Sequence, residues 1–348
     1  ILSKARAVIC AFATMRYSGC MLLPSGHQFL LIAIAILVSR AVAAAGGDHH
    51  MHIYSKAGTD VWAAMCEAME DDCNGGEPVP DEALPAQAAI RALDEATLGK
   101  GAILSLAYWF GMPEVADTRF NDPGLVRAEN QFVANEVSRY PDRLVGFFSI
   151  NPLSDYAVDE VRYWAEQGGL SGLKLHLANS AFEFGNADHM ARLGAVIDVM
   201  NDHGLPVIIH LRNRDPDYGY EHAAMFIRQV ARHAPAVTFQ LAHMAGWGGY
   251  DEGTDSAAQA FLDAIESGDL AHDRVWFDVA AVVEEEMSEP VLAMLRDRMR
   301  TIGFDRLLFA SDWDEMEPER YTKTLRNHLG LSDEEMRQLL DNVAPYFR

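Results

Sequence analysis

Basic side chains are scarce in this sequence: 28 Lys and Arg stand against 51 Asp and Glu over 348 residues, a formal net charge of −23. So acidic a chain repels phosphate backbones and anionic headgroups, which excludes non-specific attachment to nucleic acid or an anionic membrane and leaves a small molecule as the expected partner. Cysteine is rarer still, with 4 residues, and Cys10 and Cys20 fall in a leader-like segment. The remaining pair, Cys66 and Cys73, can form one disulfide, but its spacing fits no ordinary two-cysteine zinc knuckle. The leading apolar run, Phe29 to Val38, has only ten residues, against the roughly 20 that a membrane-spanning helix needs. No glycine-rich fingerprint follows the first expected strand, which counts against an open dinucleotide-binding sheet.

What is present begins with a contrast. The first 47 residues carry Lys4, Arg6, Arg16 and Arg40 and no acid before Asp48. A basic start, a short apolar run and the small residues Ala41 to Ala45 are the parts of a secretory signal. Residues 1–45 are therefore expected to be a signal peptide and 46–348 a single mature domain, exported to the periplasm or outside the cell. Once the leader is removed, no stable membrane association is expected. An uncleaved anchor is the alternative, and a start at Met15 or Met21 would make a more usual leader.

After Asp48 short apolar runs alternate with segments of helical period. Strands are expected at His50 to Tyr54, Ala102 to Ala107, Leu144 to Ile150, Gly172 to Leu177, Pro206 to Leu211, Thr238 to His243, Val275 to Val279 and Leu307 to Ser311. Helices are expected between them, from Pro85 to Leu98 onward, with a last pair around Tyr321 to Leu329 and Ser332 to Asn342. Continuously apolar strands such as Val207-Ile208-Ile209 suit a parallel sheet covered on both faces. Helices covering one closed parallel sheet make an α/β protein of the (β/α)₈ TIM-barrel class.

The unusual residues fall at the C-terminal ends of those strands: His50 and His52 in the first, Lys174 and His176 in the fourth, His210 in the fifth, His243 in the sixth and Asp312 after the eighth. Residues two apart on a strand share a face, so His50 with His52, and Lys174 with His176, converge on the barrel mouth. His49, alternating with them, is expected to point outward. Neutral imidazoles and a carboxylate around one open position are what a divalent metal such as zinc requires to activate water. His203 and His233, at helix C-termini, read as caps, and Glu284 to Glu286 as a solvated face.

These residues resemble the amidohydrolase superfamily, specifically its amidohydrolase-related branch of mononuclear barrels, which includes hydrolases and non-oxidative decarboxylases. The likeness rests on Asp48-His49-His50-Met51-His52, Gly172-Leu173-Lys174-Leu175-His176, Ile209-His210, Leu241-Ala242-His243, Ser311-Asp312 and the closing Asn342-Val343-Ala344-Pro345-Tyr346. It implies one divalent ion, with zinc expected, on His50, His52, His210 and Asp312. Asp312 would also be the general base and His243 the catalytic group that steadies an oxyanion. In binuclear relatives a strand-four lysine is carbamylated; here Lys174 is read as a plain cation for a substrate carboxylate or a buried acid. Arg212, sharing a face with His210, is the expected carboxylate clamp, and His176, Tyr108, Trp109 and Trp247 complete the substrate-binding set, with Asn151 and Asp278 as weaker candidates.

The function expected is hydrolysis of an amide, ester or lactone in a small carboxylate-bearing substrate by metal-activated water. Metal-dependent decarboxylation on the same scaffold and a non-catalytic metal- or ligand-binding barrel are the alternatives. A homo-oligomer is left open.

Overall fold

The computed structural model describes residues 46–68 and 78–347, so the expected signal peptide and Cys73 lie outside it; Cys66 is disulfide-bonded. Eight parallel strands follow one another in chain order around one sheet. They are β1 (Gly47–His52), β2 (Lys100–Leu104), β3 (Leu144–Ser149), β4 (Gly172–His176), β5 (Val207–His210), β6 (Phe239–Leu241), β7 (Val275–Asp278) and β8 (Leu307–Leu308). All eight expected strands are present, most of them trimmed at their ends, and β1 begins three residues earlier than expected. The (β/α)₈ barrel is thus the observed architecture, and no helix among the described residues is long and apolar enough to cross a membrane.

The helices lie outside the sheet because each presents an apolar stripe to it. They are α1 (Lys56–Ala68), α2 (Ala86–Glu95), α3 (Pro123–Val137), α4 (Ala157–Gln167), α5 (Ala187–His203), α6 (Tyr220–Gln229), α7 (Glu252–Ser267), α8 (Glu289–Ile302), α9 (Pro318–Thr324) and α10 (Asp333–Asp341). Outward strand residues such as Ile103, Leu173, Leu175, Ile209 and Phe277 join these stripes in one core. The sequence offered no signal for α1, because Gly58 sits in its first turn where a strong helix former would be expected. Glycine is needed there: a Cβ would lie 2.9 Å from Tyr54 Cβ and 3.2 Å from Glu129 Oε1.

Closure of the barrel is made by β1 and the segment after β8. His49 N donates to Phe309 O at 3.0 Å, and Asp312 N donates to His50 O at 3.0 Å. Beside them the buried Asp48 carboxylate accepts from Ser311 Oγ at 2.5 Å and from the amides of Ser311 and His50, each at 3.1 Å. Burial nevertheless outweighs those donors and pushes the Asp48 carboxyl up to about 7. The register shifts between Asp48 and Met51, and this breaks the alternation on which the outward reading of His49 depended. His49 instead packs on the Tyr346 and Phe347 rings, at centroid distances of 6.0 and 4.6 Å. Phe347 in turn fills the barrel interior with Ala102, Leu104, Phe147 and Ile208, so the C-terminal segment plugs the end opposite the histidines.

Ser311→Ala leaves Asp48 buried with one donor fewer, so unfolding by urea should show a loss of about 1–3 kcal/mol. A change below about 0.5 kcal/mol, the range of neutral surface substitutions, would show that closure does not rest on this contact.

Candidate metal centre

The strands bring His50, His52, Lys174, His176, His210, His243 and Asp312 to the wall of one cavity of about 790 Å³, together with Tyr108, Trp109 and Trp247. Within it, ligand atoms of His50, His52 and Asp312 lie within 4.8 Å of one another. Both imidazole Nε2 atoms stand 3.3 Å from Asp312 Oδ1.

Hydrogen bonding decides the state of those nitrogens. His50 Nδ1 lies 3.2 Å from Asp278 Oδ2 and His52 Nδ1 lies 2.9 Å from Leu104 O. A carbonyl and a carboxylate accept, so both rings carry hydrogen on Nδ1, and each ring in its neutral form presents a bare Nε2 lone pair. Burial above all, then the neighbouring Lys174 amine, holds His50 well below its ordinary pKa, so the ring is neutral. For Asp312 burial acts upward, but the surrounding imidazoles of His50, His243 and His52 outweigh it and hold the carboxyl well below the usual carboxylate range. Two bare nitrogens and an anionic oxygen facing one another repel unless a cation sits among them. Lys174, 1% exposed, meets part of that need with its Nζ 3.0 Å from His50 Nε2, and burial lowers its pKa to about 8.

The other three histidines form an arc beside this group. His210 pairs in register with His176, and their rings stack at 3.8 Å. Buried His210 Nε2 has no hydrogen-bond partner. An orphaned imidazole nitrogen beside two bare ones fits a divalent ion, so the donor set is chemically suited to the metal that the sequence leads one to expect. His243, with its ring 5.0 Å from that of His50 and 5.0 Å from that of His210, places Nδ1 2.9 Å from Ala280 O and so keeps Nε2 bare. His176 is the opposite tautomer: its Nδ1 accepts from Asn179 N at 3.2 Å, which leaves the hydrogen on Nε2.

Strain concentrates at the same rim. His243, Met244, Ala281 and Asp312 have φ of 54°, 57°, 48° and 67°, a left-handed backbone that non-glycine residues adopt at a cost of about 1–3 kcal/mol each. At Asp312 this turn brings the carboxylate to the two imidazoles.

One expectation needs correction. Arg212 does not reach the cavity: its Nη1 donates to Asp251 Oδ2 at 2.7 Å and to Thr254 Oγ1 at 3.2 Å, and its guanidinium lies 5.5 Å from the Tyr218 ring. A carboxylate at the start of α7 captures the cation that a substrate was expected to engage. Glu284 to Glu286 are exposed, as a solvated face should be, and Glu284 in addition lines the cavity. Asp278 was underrated. It accepts from His50 Nδ1, Gln240 Nε2 at 2.7 Å, His243 N at 2.8 Å and Ala280 N at 3.2 Å, and so orients two site histidines. Its signal was available as an acid ending an apolar strand. Asp314 and Glu315, which also line the cavity, carried no such signal because they lie on a loop, and Trp62 reaches it from α1, the helix for which the sequence offered no signal. The charge of Asp312, then burial, pushes Glu315 up to about 7.

The Amidohydrolase family profile matches residues 48–342. No curated protein matches the chain. Among solved structures, 5-carboxyvanillate decarboxylase from Sphingomonas paucimobilis is 15% identical with a TM-score of 0.57, covering 86% of this chain and 97% of its own. A probable 2-pyrone-4,6-dicarboxylic acid hydrolase from Acinetobacter baumannii, bound to citric acid, is 17% identical with a TM-score of 0.51, covering 85% and 96%. A dihydroxybenzoic acid decarboxylase from Polaromonas, with bound manganese and the inhibitor 2-nitroresorcinol, is 16% identical with a TM-score of 0.55, covering 85% and 94%.

His52→Ala should lower metal affinity by at least about 100-fold, since it removes a ligand outright and even supporting partners are worth 10–100-fold. His176→Ala, outside the convergent group, should retain the metal. Equilibrium dialysis with zinc and manganese checks both, and equal retention by the two variants would refute the ligand assignment.

Proposed function

This chain belongs to the amidohydrolase family, and from that premise we propose that it is a metal-dependent hydrolase acting on an amide, ester or lactone bond of a small molecule. The observation that carries the reading is the meeting of bare His50 and His52 Nε2 atoms with the Asp312 carboxylate in a substrate-sized cavity. A divalent cation held by His50, His52 and Asp312, with His210 as the proposed further ligand and zinc as the proposed ion, would supply Lewis acidity and lower the pKa of water toward about 7.

Around it the residues have separable tasks. Asp312 is placed to take a proton from the attacking water at its second carboxylate oxygen. His243 Nε2, bare because Nδ1 is engaged with Ala280 O, is suited to take the remaining proton of the added water and pass it to the leaving group, while Asp312 keeps the first. That tautomer favours proton transfer at His243 over contact with the oxyanion. His176 Nε2–H is the donor suited to the oxyanion. Tyr108, Trp109 and Trp247 supply apolar walls.

Substrate charge ranks the two enzyme readings. Among the described lining residues Lys174 is the sole Lys or Arg, set against Asp312, Asp314, Glu315 and Glu284. With Arg212 engaged by Asp251, a carboxylate has one buried amine to meet and three further acids to pass, which favours an uncharged amide, ester or lactone. Decarboxylation remains the second reading because two of the three solved structures above are decarboxylases of aromatic acids; Lys174 would then hold the departing carboxylate. Export of a single mature domain, 46–348, is also proposed, supported by the basic, apolar leader and by the disulfide at Cys66.

Incubating metal-loaded protein with a panel of neutral lactones, esters and amides and of aromatic acids in ¹⁸O-water tests the reading. Hydrolysis predicts one labelled oxygen in the product and no carbon dioxide. Carbon dioxide release from an aromatic acid, with no label in the organic product, would establish the second reading instead.

A further inference from the structure

The C-terminal plug and the metal centre lie at opposite ends of the barrel interior, yet a continuous run of hydrogen bonds joins them. Tyr346 Oη is 2.5 Å from Gln240 Oε1. Gln240 Nε2 is 3.0 Å from His49 O and 2.7 Å from Asp278 Oδ2, and the latter atom is 3.2 Å from His50 Nδ1. Gln240, Asp278 and His50 are each no more than 1% exposed, so water cannot replace these partners.

Every member of the run has one role available. His49 O and the Asp278 carboxylate only accept, so the amide nitrogen of Gln240 must face them with both hydrogens. Its oxygen is then turned to Tyr346 and can only accept, so the phenol must donate. With Gln240 Nε2 placed on one side of Asp278 Oδ2, the His50 Nδ1–H occupies the other, which leaves His50 Nε2 bare at the metal position. The Tyr346 ring is itself pinned by Phe147, 5.0 Å away, and by Phe347, 5.0 Å away.

We propose that Tyr346 and Gln240 are positioning residues for the metal centre: the docked C-terminal segment holds Asp278, and through it the orientation and tautomer of His50. The inference rests on the metal-site reading for its effect on affinity, but its effect on the His50 tautomer exists without metal. A plug with no other task would need only the rings of Tyr346 and Phe347; the hydroxyl-to-amide contact gives the segment its connection to the site.

The test uses the full chain with Tyr346→Phe, Gln240→Leu and, as a packing control in the helical layer outside the barrel, Leu193→Ala, a fully buried residue of α5. Two quantities are read: zinc affinity by competition with a chromophoric chelator, and the ring ¹⁵N shifts of His50 in metal-free protein. Supporting partners of metal ligands are worth about 10–100-fold in affinity, so Gln240→Leu should weaken zinc by about 10-fold or more and Tyr346→Phe by about 3-fold or more. Both should move the His50 shifts away from a pure Nδ1–H tautomer, while Leu193→Ala lowers the melting temperature without changing either quantity. Unchanged His50 shifts in Gln240→Leu, or affinity losses that track melting temperature alike in all three variants, would overturn the proposal. Wild-type protein that binds no zinc or manganese while the shifts respond as expected would refute the metal reading and leave the positioning role standing.

Discussion

Three electron-rich atoms, two imidazole nitrogens and one carboxylate oxygen, are forced toward a common point at the mouth of the barrel. Left alone this arrangement is repulsive, and the fold sustains it by engaging every alternative proton site. The Nδ1 atoms of His50 and His52 are tied to a carboxylate and a carbonyl, so neither ring can turn over to offer a hydrogen to Asp312. The remaining conflict is one a cation resolves, and the Lys174 amine beside His50 Nε2 shows where positive charge is required. The left-handed backbone at His243 and Asp312 is part of the same compulsion, because strain of this kind persists only where surrounding structure holds it.

Structure and site share a few residues of chain at the seam of the barrel. Ser311 grips Asp48 and so joins β1 to the segment after β8, while its neighbour Asp312 turns its carboxylate to the histidines of β1. Closing the sheet and assembling the ligand group are therefore one event. A loosened seam would separate His50 and His52 from Asp312 before it exposed much of the core.

The fold was legible because its signal is repetitive: eight short apolar runs separated by helical stretches specify a barrel even when each boundary is off by a residue or two. Convergence of His50, His52 and Asp312 was legible for a related reason, since strand ends in a parallel barrel share one rim. What could not be read depends on partners distant in sequence. Arg212 occupies a suitable strand-end position, but its destination is set by Asp251, 39 residues on. His49 obeys alternation until a register shift redirects it toward a C-terminal segment nearly 300 residues away. Glu315 and Asp314 reach the cavity from a loop, where no period constrains direction. The tautomers of His176 and His243 are set by single backbone groups, Asn179 N and Ala280 O, whose placement follows from loop geometry alone.

The buried acids show how one residue type is given different chemistry by its neighbours. Asp48 meets a hydroxyl and two amides, too little to offset complete burial, and its carboxyl rises to about 7. Asp312 is also buried, at the cavity wall, but it faces imidazoles and is held ionised. Asp278 stands between them in function, taking donors from a ring, an amide side chain and two backbone groups, with no lone pair directed at the cavity's ligand group. These positions are therefore not interchangeable stores of negative charge. Asp48 serves closure, Asp278 orients, and Asp312 is the carboxylate left with an unsatisfied demand for a cation, which is why the proposed chemistry centres on that residue.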